Sequence, residues 1–268
     1  MAQVKLAGAV TLHDFAATEN HLVIPVPPLR LDLLSLVTRK QSPIDCMRWH
    51  PELGTELIVI PLADPGNPIR LTVPAHHVEH IVNAYEDGTT IHFDAIRYPN
   101  LEARAGYIRG LIHGFVGAPL GAVVSHGTLD LATRRCVYET RIDRPCELPR
   151  VSLRVEASRY RFGYALGFSS PSAERDRFFD AIVKFDIERG SRETWWPGPG
   201  QFVTEPVFVG SGAKGEDDGF VLAQVLDMDR AKSYLAVLDA RAITDGPIAR
   251  AYFDQVIPLG FHGVWVPS

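Results

Sequence analysis

Residues 182–196 read IVKFDIERGSRETWW and carry the pattern that decides the fold. An apolar strand ends in Asp186, a few polar and glycine residues follow, and a second strand begins. The same pattern recurs as GTLDLATRRCVYETRI at residues 127–142 and as LAVLDARAITDGPIARAYF at residues 235–253. Each copy predicts a pair of antiparallel strands joined by a turn.

The aspartates that end the first strand of each copy are Asp130, Asp186 and Asp239, which are separated by 56 and 53 residues. One four-stranded blade of a β-propeller takes roughly 40 to 50 residues, so this spacing predicts an all-β fold, a β-propeller, with some loop insertions. A weaker copy at residues 56–73, around Asp64, raises the expected number of blades in the chain to about four or five. A β-sandwich with irregular hairpins is the alternative.

Composition agrees with a mostly β protein and excludes some partners. The chain has 22 Gly and 20 Pro among 268 residues, which favours many short strands over long helices. Only residues 101–109 and 172–179 have a helical pattern, and we find no linker, so residues 1–268 are predicted to form one domain. Lys and Arg total 27 against 32 Asp and Glu, and this deficit of positive charge argues against binding of nucleic acid.

The cysteines and the apolar segments indicate the cellular compartment of the protein. Cys46, Cys136 and Cys146 are too few and too scattered for a disulfide framework or a CxxC metal cluster, and are expected to be reduced thiols. No segment reaches the roughly 20 apolar residues that span a bilayer. We therefore expect a cytoplasmic protein and leave peripheral membrane contact open.

Ten histidines make a metal site worth considering, and the densest group is HHVEH at residues 76–80. This segment matches the H-x-x-E-H pattern of an inverted zinc protease motif. That motif requires a helix, because on a strand His76 and His80 would lie about 13 Å apart. The segment stands between two strand signals, so a structural strand is favoured over a protease site.

Two further histidines lie at opposite ends of the chain, His13 in HDFAATENHLV and His262 in GFHG. These segments resemble those of the carotenoid cleavage oxygenase superfamily, which includes carotenoid and apocarotenoid dioxygenases, lignostilbene dioxygenases and the retinoid isomerase of the eye. More segments match the same family in order: RWHPELGTELIVIP at 48–61, HIVNAYEDG at 80–88, ELP at 147–149, RFGYALGF at 161–168, TEPVFV at 204–209 and GEDDGFVLAQVLD at 215–227.

The resemblance implies a seven-bladed β-propeller, of which this chain holds only the C-terminal blades, with Fe(II) on the axis held by four histidines. By motif, His13 and His262 are two of the iron ligands. Glu147 and Glu205 are carboxylates that orient ligating imidazoles by hydrogen bonding to the ring nitrogen that does not bind the metal. The resemblance implies no organic cofactor and no catalytic residue beyond the iron centre. His50 and His80 belong to matching segments but are interpreted as structural. The first two iron-binding histidines and one glutamate are expected to precede the HDF segment and thus to lie outside this chain.

The implied activity is oxidative cleavage of a conjugated C=C bond in a carotenoid, apocarotenoid or stilbene by O2, which gives two carbonyl products. A partner chain is one explanation for the absent blades, a truncated sequence is another, and a remnant without catalysis is a third. The alternative function is a non-catalytic partial propeller that binds an apolar ligand or a partner chain.

Overall fold

A computed structural model describes residues 3–39, 41–112, 121–176 and 178–266, and these residues are mostly β. The helices are α1 (Leu33–Val37), α2 (Leu101–Ile112) and α3 (Ala173–Asp176), with short 3-10 turns between strands. The strands are β1 (Ala16–Ala17), β2 (His21–Val26), β3 (Leu29–Leu31), β4 (Met47–Trp49), β5 (Thr55–Pro61), β6 (Ile69–Val73), β7 (His77–Asp87), β8 (Thr90–Tyr98), β9 (Val123–Asp130), β10 (Arg135–Ile142), β11 (Glu147–Arg150), β12 (Phe162–Gly167), β13 (Ala181–Asp186), β14 (Ser191–Trp195), β15 (Gln201–Val203), β16 (Val207–Gly210), β17 (Gly219–Asp227), β18 (Lys232–Asp239) and β19 (Pro247–Tyr252).

Four antiparallel sheets follow one another along the chain. Sheet I has the order β1-β2-β5-β6, sheet II β7-β8-β9-β10 and sheet III β11-β12-β13-β14. Sheet IV has the order β15-β17-β18-β19, and β16 also pairs with β17. Strands β3 and β4 form a small separate ribbon. In every sheet the strand that comes first in the chain is at one edge and the last strand is at the other.

The aspartate pattern marks the last hairpin of three sheets. Asp130 ends β9, Asp186 ends β13 and Asp239 ends β18, and each is followed by the outermost strand of its sheet. Their carboxylates accept hydrogen bonds of 2.8 to 3.1 Å from backbone N–H groups two or three residues later, which closes the turn. Asp64 lies in the corresponding turn between β5 and β6. The predicted hairpins are therefore confirmed.

Hydrophobic burial distinguishes the inner strands from the edge strands. Residues of β13 are buried on both faces, as its nearly continuous apolar sequence AIVKFD predicts. One buried cluster joins sheets I and II through residues such as Val23, Leu57 and Phe93, and a larger one joins sheets II, III and IV through Ile96, Leu166 and others. Successive sheets thus pack on each other in chain order.

Two helical predictions and the HHVEH segment have clear outcomes. Helix α2 includes residues 101–109 as predicted, whereas the helix expected at 172–179 is only the short α3. Residues 77–80 of HHVEH lie in strand β7, so the strand interpretation is confirmed and the helical zinc motif is not formed. Among the described residues, no helix is both long enough and apolar enough to cross a bilayer.

Candidate metal centre

Three histidines from distant parts of the chain lie close together. His13 precedes β1, His80 lies in β7, and His262 lies in the segment that follows β19. One ring nitrogen of each lies within 4.8 Å of those of the other two. The ring centroids are 4.9 Å apart for His13 and His80, 5.3 Å for His80 and His262, and 6.1 Å for His13 and His262. No other cluster of three or more such potential ligands occurs in the described part of the chain.

His80 is oriented by Glu147, the first residue of β11. Its Nδ1 lies 2.5 Å from Oε2 of Glu147, while Oε1 accepts a 2.5 Å hydrogen bond from the hydroxyl of Tyr98. The backbone N–H of Leu148 adds a third bond of 2.7 Å to Oε2. Burial alone would lower the pKa of His80, but the hydrogen bond to Glu147 and the charge of that carboxylate outweigh it and raise the pKa above its ordinary value.

His262 is held in the same manner by Glu205, which is buried between β15 and β16. Oε1 of Glu205 lies 3.0 Å from Nδ1 of His262, and Oε2 accepts a 2.7 Å bond from the backbone N–H of Gly263. The guanidinium of Arg150 binds both carboxylate oxygens at 3.0 Å and also donates to the carbonyl of Gly263. This bidentate pair fixes both the carboxylate and the C-terminal segment that carries the imidazole.

His13 reaches the cluster because its neighbour Asp14 ties two sheets together. One carboxylate oxygen of Asp14 accepts the backbone N–H of Ile81 in β7 at 2.8 Å, and the other accepts that of Phe15 at 2.8 Å. Asp14 thus acts through hydrogen bonds to backbone. Partial burial lowers the pKa of His13, which favours the neutral imidazole that a metal requires.

The donor set fits a transition metal. Because the Nδ1–H groups of His80 and His262 donate to carboxylates, the Nε2 atoms of these rings carry lone pairs. Nε2 of His13 lies 3.2 Å from Nε2 of His80, close to the roughly 3 Å that separates two nitrogens on adjacent positions of one metal ion. Neutral imidazoles suit zinc, copper, iron and nickel. The cluster borders a cleft of about 220 Å³, which also reaches Pro149 and Ile81.

All four sequence-predicted residues meet here: His13, His262, Glu147 and Glu205. Their role in holding a metal stays a prediction. His80, which the sequence analysis interpreted as structural, also lies in the cluster. Three potential ligands therefore converge in this chain, whereas the motifs predicted two. The family-matching segment HIVNAYEDG contained the signal, because it begins at His80.

The remaining histidines of HHVEH lie outside the cluster. His76 is buried with its Nδ1 2.8 Å from the carbonyl oxygen of Pro74, and its ring packs edge-on against Tyr138. His77 is buried and pairs with Glu79 at 2.7 Å. His50 also lies outside the cluster, and its Nδ1 is 3.0 Å from Oε1 of Glu52.

Comparison with known proteins gives one consistent result. The family model described as retinal pigment epithelial membrane protein matches residues 1–267. Curated relatives include isoeugenol monooxygenase of Pseudomonas nitroreducens (30% identity, 96% of this chain and 54% of the relative), apocarotenoid-15,15'-oxygenase of Synechocystis (30%, 97% and 53%) and lignostilbene-alpha,beta-dioxygenase isozyme III of Sphingomonas paucimobilis (34%, 96% and 54%). The chain thus spans about half the length of the curated relatives it matches. A solved structure of cobalt-substituted Synechocystis ACO matches 97% of this chain and 53% of its own, with 26% identity and a TM-score of 0.84.

Proposed function

Because the chain belongs to the carotenoid cleavage oxygenase superfamily, whose retinal pigment epithelial membrane protein model matches almost all of it, we propose that it forms part of an Fe(II)-dependent dioxygenase. The proposed reaction is scission of a conjugated C=C bond in an apolar carotenoid, apocarotenoid or stilbene to two carbonyl products. The observation that carries this proposal is the convergence of His13, His80 and His262, two of them held by buried carboxylates.

The three imidazoles would hold the iron through their inward nitrogens. Glu147 and Glu205 would keep the Nδ1 proton of their histidines in place, which fixes the tautomer and makes the ligating nitrogen more basic. Iron, when bound, would supply the activation of dioxygen. Neutral ligands suit this purpose because they leave the positive charge of the ion undiminished. The similar solved structure of cobalt-substituted Synechocystis ACO supports a metal in this fold.

We also propose that sheets I to IV are blades of a β-propeller whose axis passes through the metal centre. In support, each sheet is antiparallel and the sheets follow in chain order. Four residues of the site also lie on or beside the first strand of their sheets: His13, His80, Glu147 and Glu205. The first strand of sheet II contacts the first strands of sheets I and III. Residues 1–268 would then be the C-terminal portion of the oxygenase domain, with the other blades and further ligands supplied from elsewhere.

Metal binding is tested before activity, because it can be measured on this chain, which spans about half the length of its relatives. The chain would be purified without oxygen, loaded with Fe(II), desalted and assayed for iron per chain. We expect one iron per chain for the wild type and a large loss for His80→Ala. His21→Ala is the matched control, because His21 pairs with Glu86 at 2.9 Å in a histidine–carboxylate pair outside the cluster. Equal iron in all three proteins, or none in the wild type, would refute the metal centre.

Cleavage is the second test. Oxygen uptake and carbonyl products would be measured with an apocarotenal and with a hydroxystilbene, for this chain and for a version extended to the length of its relatives. Product that depends on His80 supports the dioxygenase. Iron binding without product in the extended protein would favour a non-catalytic propeller that binds an apolar ligand.

A further inference from the structure

Sheet II carries a pair of histidines outside the cluster described above. His92 of β8 and His126 of β9 share one face of the sheet, since His126 lies opposite Asp94, two residues after His92. Nδ1 of His92 is 3.1 Å from Nε2 of His126. This separation is close to the 3.2 Å between the Nε2 atoms of His13 and His80. Two adjacent positions of one metal ion would accommodate it.

The hydrogen bonds around this pair define the tautomer of each ring. Oδ1 of Asp94 lies 3.0 Å from Nδ1 of His126, and Oδ2 accepts a 2.8 Å hydrogen bond from the hydroxyl of Tyr160. The side chains of Asp94 and His126 are only 1% and 7% exposed. Because the Nδ1–H of His126 donates to Asp94, its Nε2 carries a lone pair that accepts the Nδ1–H of His92. Partial burial and the neighbouring His126 lower the pKa of His92, which favours the neutral ring that a metal requires.

Glu139 of β10 can supply a third donor. It lies directly opposite His126 on the same face of the sheet, which places their Cβ atoms about 5 Å apart. Its side chain is 67% exposed, and its ion pair with Arg141 is long, at 3.6 Å. Such an exposed pair contributes little stability, so the carboxylate can turn toward the two rings at little cost. Two imidazoles and one carboxylate are a donor set of zinc sites, with a water in the fourth position.

We propose that His92, His126 and Glu139 form a separate zinc site, which binds Zn(II) through Nδ1, Nε2 and a carboxylate oxygen. The ion takes the place of the proton between the two rings. That proton moves to Nε2 of His92, so the ring stays neutral while its tautomer changes. The site joins β8 and β9 to the edge strand β10. It does not rest on the proposed iron centre, because it shares no ligand with that cluster.

The test uses the 268-residue chain with His13→Ala and His80→Ala, which removes two of the three clustered histidines and leaves the pair in sheet II intact. Chelator competition would give the Zn(II) affinity, and nitrogen-15 NMR of the imidazoles would give the tautomer of His92. We expect one zinc per chain and conversion of His92 from the Nδ1–H to the Nε2–H tautomer on binding. Loss of a partner behind a ligand already weakens affinity roughly 10–100-fold, so loss of a ligand in Glu139→Gln should weaken zinc binding at least about 10-fold.

Glu52→Gln is the matched control, because Glu52 is an exposed carboxylate that lies 3.0 Å from another histidine, His50. It should leave zinc affinity unchanged. The NMR spectra of the wild-type chain with zinc give the same reading of His92 if the variant without His13 and His80 fails to fold. A His92 that keeps its Nδ1–H with zinc present, or equal affinity with and without Glu139→Gln, would overturn the proposal. Since the iron test varies His80 and this test omits it, each site can fail while the other holds.

Discussion

Replacing Glu147 should separate its contribution to folding from its contribution to metal binding. The carboxylate is 5% exposed and accepts three hydrogen bonds, from Nδ1 of His80, the hydroxyl of Tyr98 and the backbone N–H of Leu148. Alanine removes the acceptor for all three donors. Glutamine keeps the shape and one acceptor oxygen, and its NH2 group can donate to the hydroxyl oxygen of Tyr98.

The expected changes in the free energy of unfolding and in metal affinity follow from these contacts. A buried donor that loses its acceptor costs about 1–3 kcal/mol, so Glu147→Ala should lower the free energy of unfolding by at least about 3 kcal/mol. Glu147→Gln loses the charge that strengthens the bond to His80, a difference of about 1 kcal/mol between charged and neutral hydrogen bonds, and it removes the acceptor of the Tyr98 hydroxyl proton. Its cost in stability should therefore be smaller than that of alanine, which removes the acceptor of all three donors. Its larger effect should be on the metal, because loss of a partner behind a ligating histidine weakens affinity roughly 10–100-fold.

Urea unfolding followed by circular dichroism would give the stability, and chelator competition with Zn(II) would give the affinity. Glu56→Gln is the control, because Glu56 forms an ion pair of 2.8 Å with Arg70 away from the cluster and should change unfolding by less than about 1 kcal/mol. An alanine variant as stable as this control would refute the reasoning about the three donors. A glutamine variant that binds zinc like the wild type would refute the role of the charge.

Three other changes test the packing, the buried histidine and the clamp on the C-terminal segment. In Gly163→Ala a new Cβ would lie 2.2 Å from ring atoms of Phe185, so urea unfolding should show a loss of about 1–3 kcal/mol that Phe185→Leu partly restores. Burial lowers the pKa of His76 to about 4, so the unfolded state binds the extra proton and stability falls as pH drops from about 6.5 toward 4, by about 3 kcal/mol in total. His76→Gln should lack this part of the pH dependence of unfolding. Arg150→Met removes the bidentate bond to Glu205 and should increase the rate of proteolysis after β19, which mass spectrometry would detect.

A specific result would contradict each of these three predictions. Equal destabilisation of Gly163→Ala with and without Phe185→Leu would mean that the ring does not resist the new methyl group. A pH dependence of unfolding that His76→Gln leaves unchanged would assign the titration to other groups. Unchanged cleavage of the C-terminal segment in Arg150→Met would mean that Glu205 alone secures it.

Local features were predictable because their causes lie within a few consecutive residues. The turns after Asp130, Asp186 and Asp239 close through bonds from each carboxylate to backbone N–H groups two or three residues later, so the sequence pattern is also the physical cause. The helix at 101–109 was likewise expected from the local sequence, and it forms as part of α2. At 172–179 the same reasoning overestimated the length of the helix, since only α3 forms.

His80 was missed for a reason that strand geometry explains. Alternate residues of a strand face opposite sides, so a dense run such as HHVEH does not say which imidazole faces which neighbour. The register of β7 shifts twice, between Val78 and Ile81 and again between Ile81 and Asn83. Such shifts interrupt the alternation of side chains, so the face on which His80 lies cannot be counted from the sequence.

The amino-acid sequence by itself determined the succession of antiparallel hairpins, the family, and the four residues His13, His262, Glu147 and Glu205 that carry its motifs. Only the tertiary structure decided that His80 joins His13 and His262. The physical reason is range: a turn is closed by neighbours in the chain, whereas a cluster that joins residues 67 and 249 positions apart depends on how the sheets pack and where one strand shifts its register.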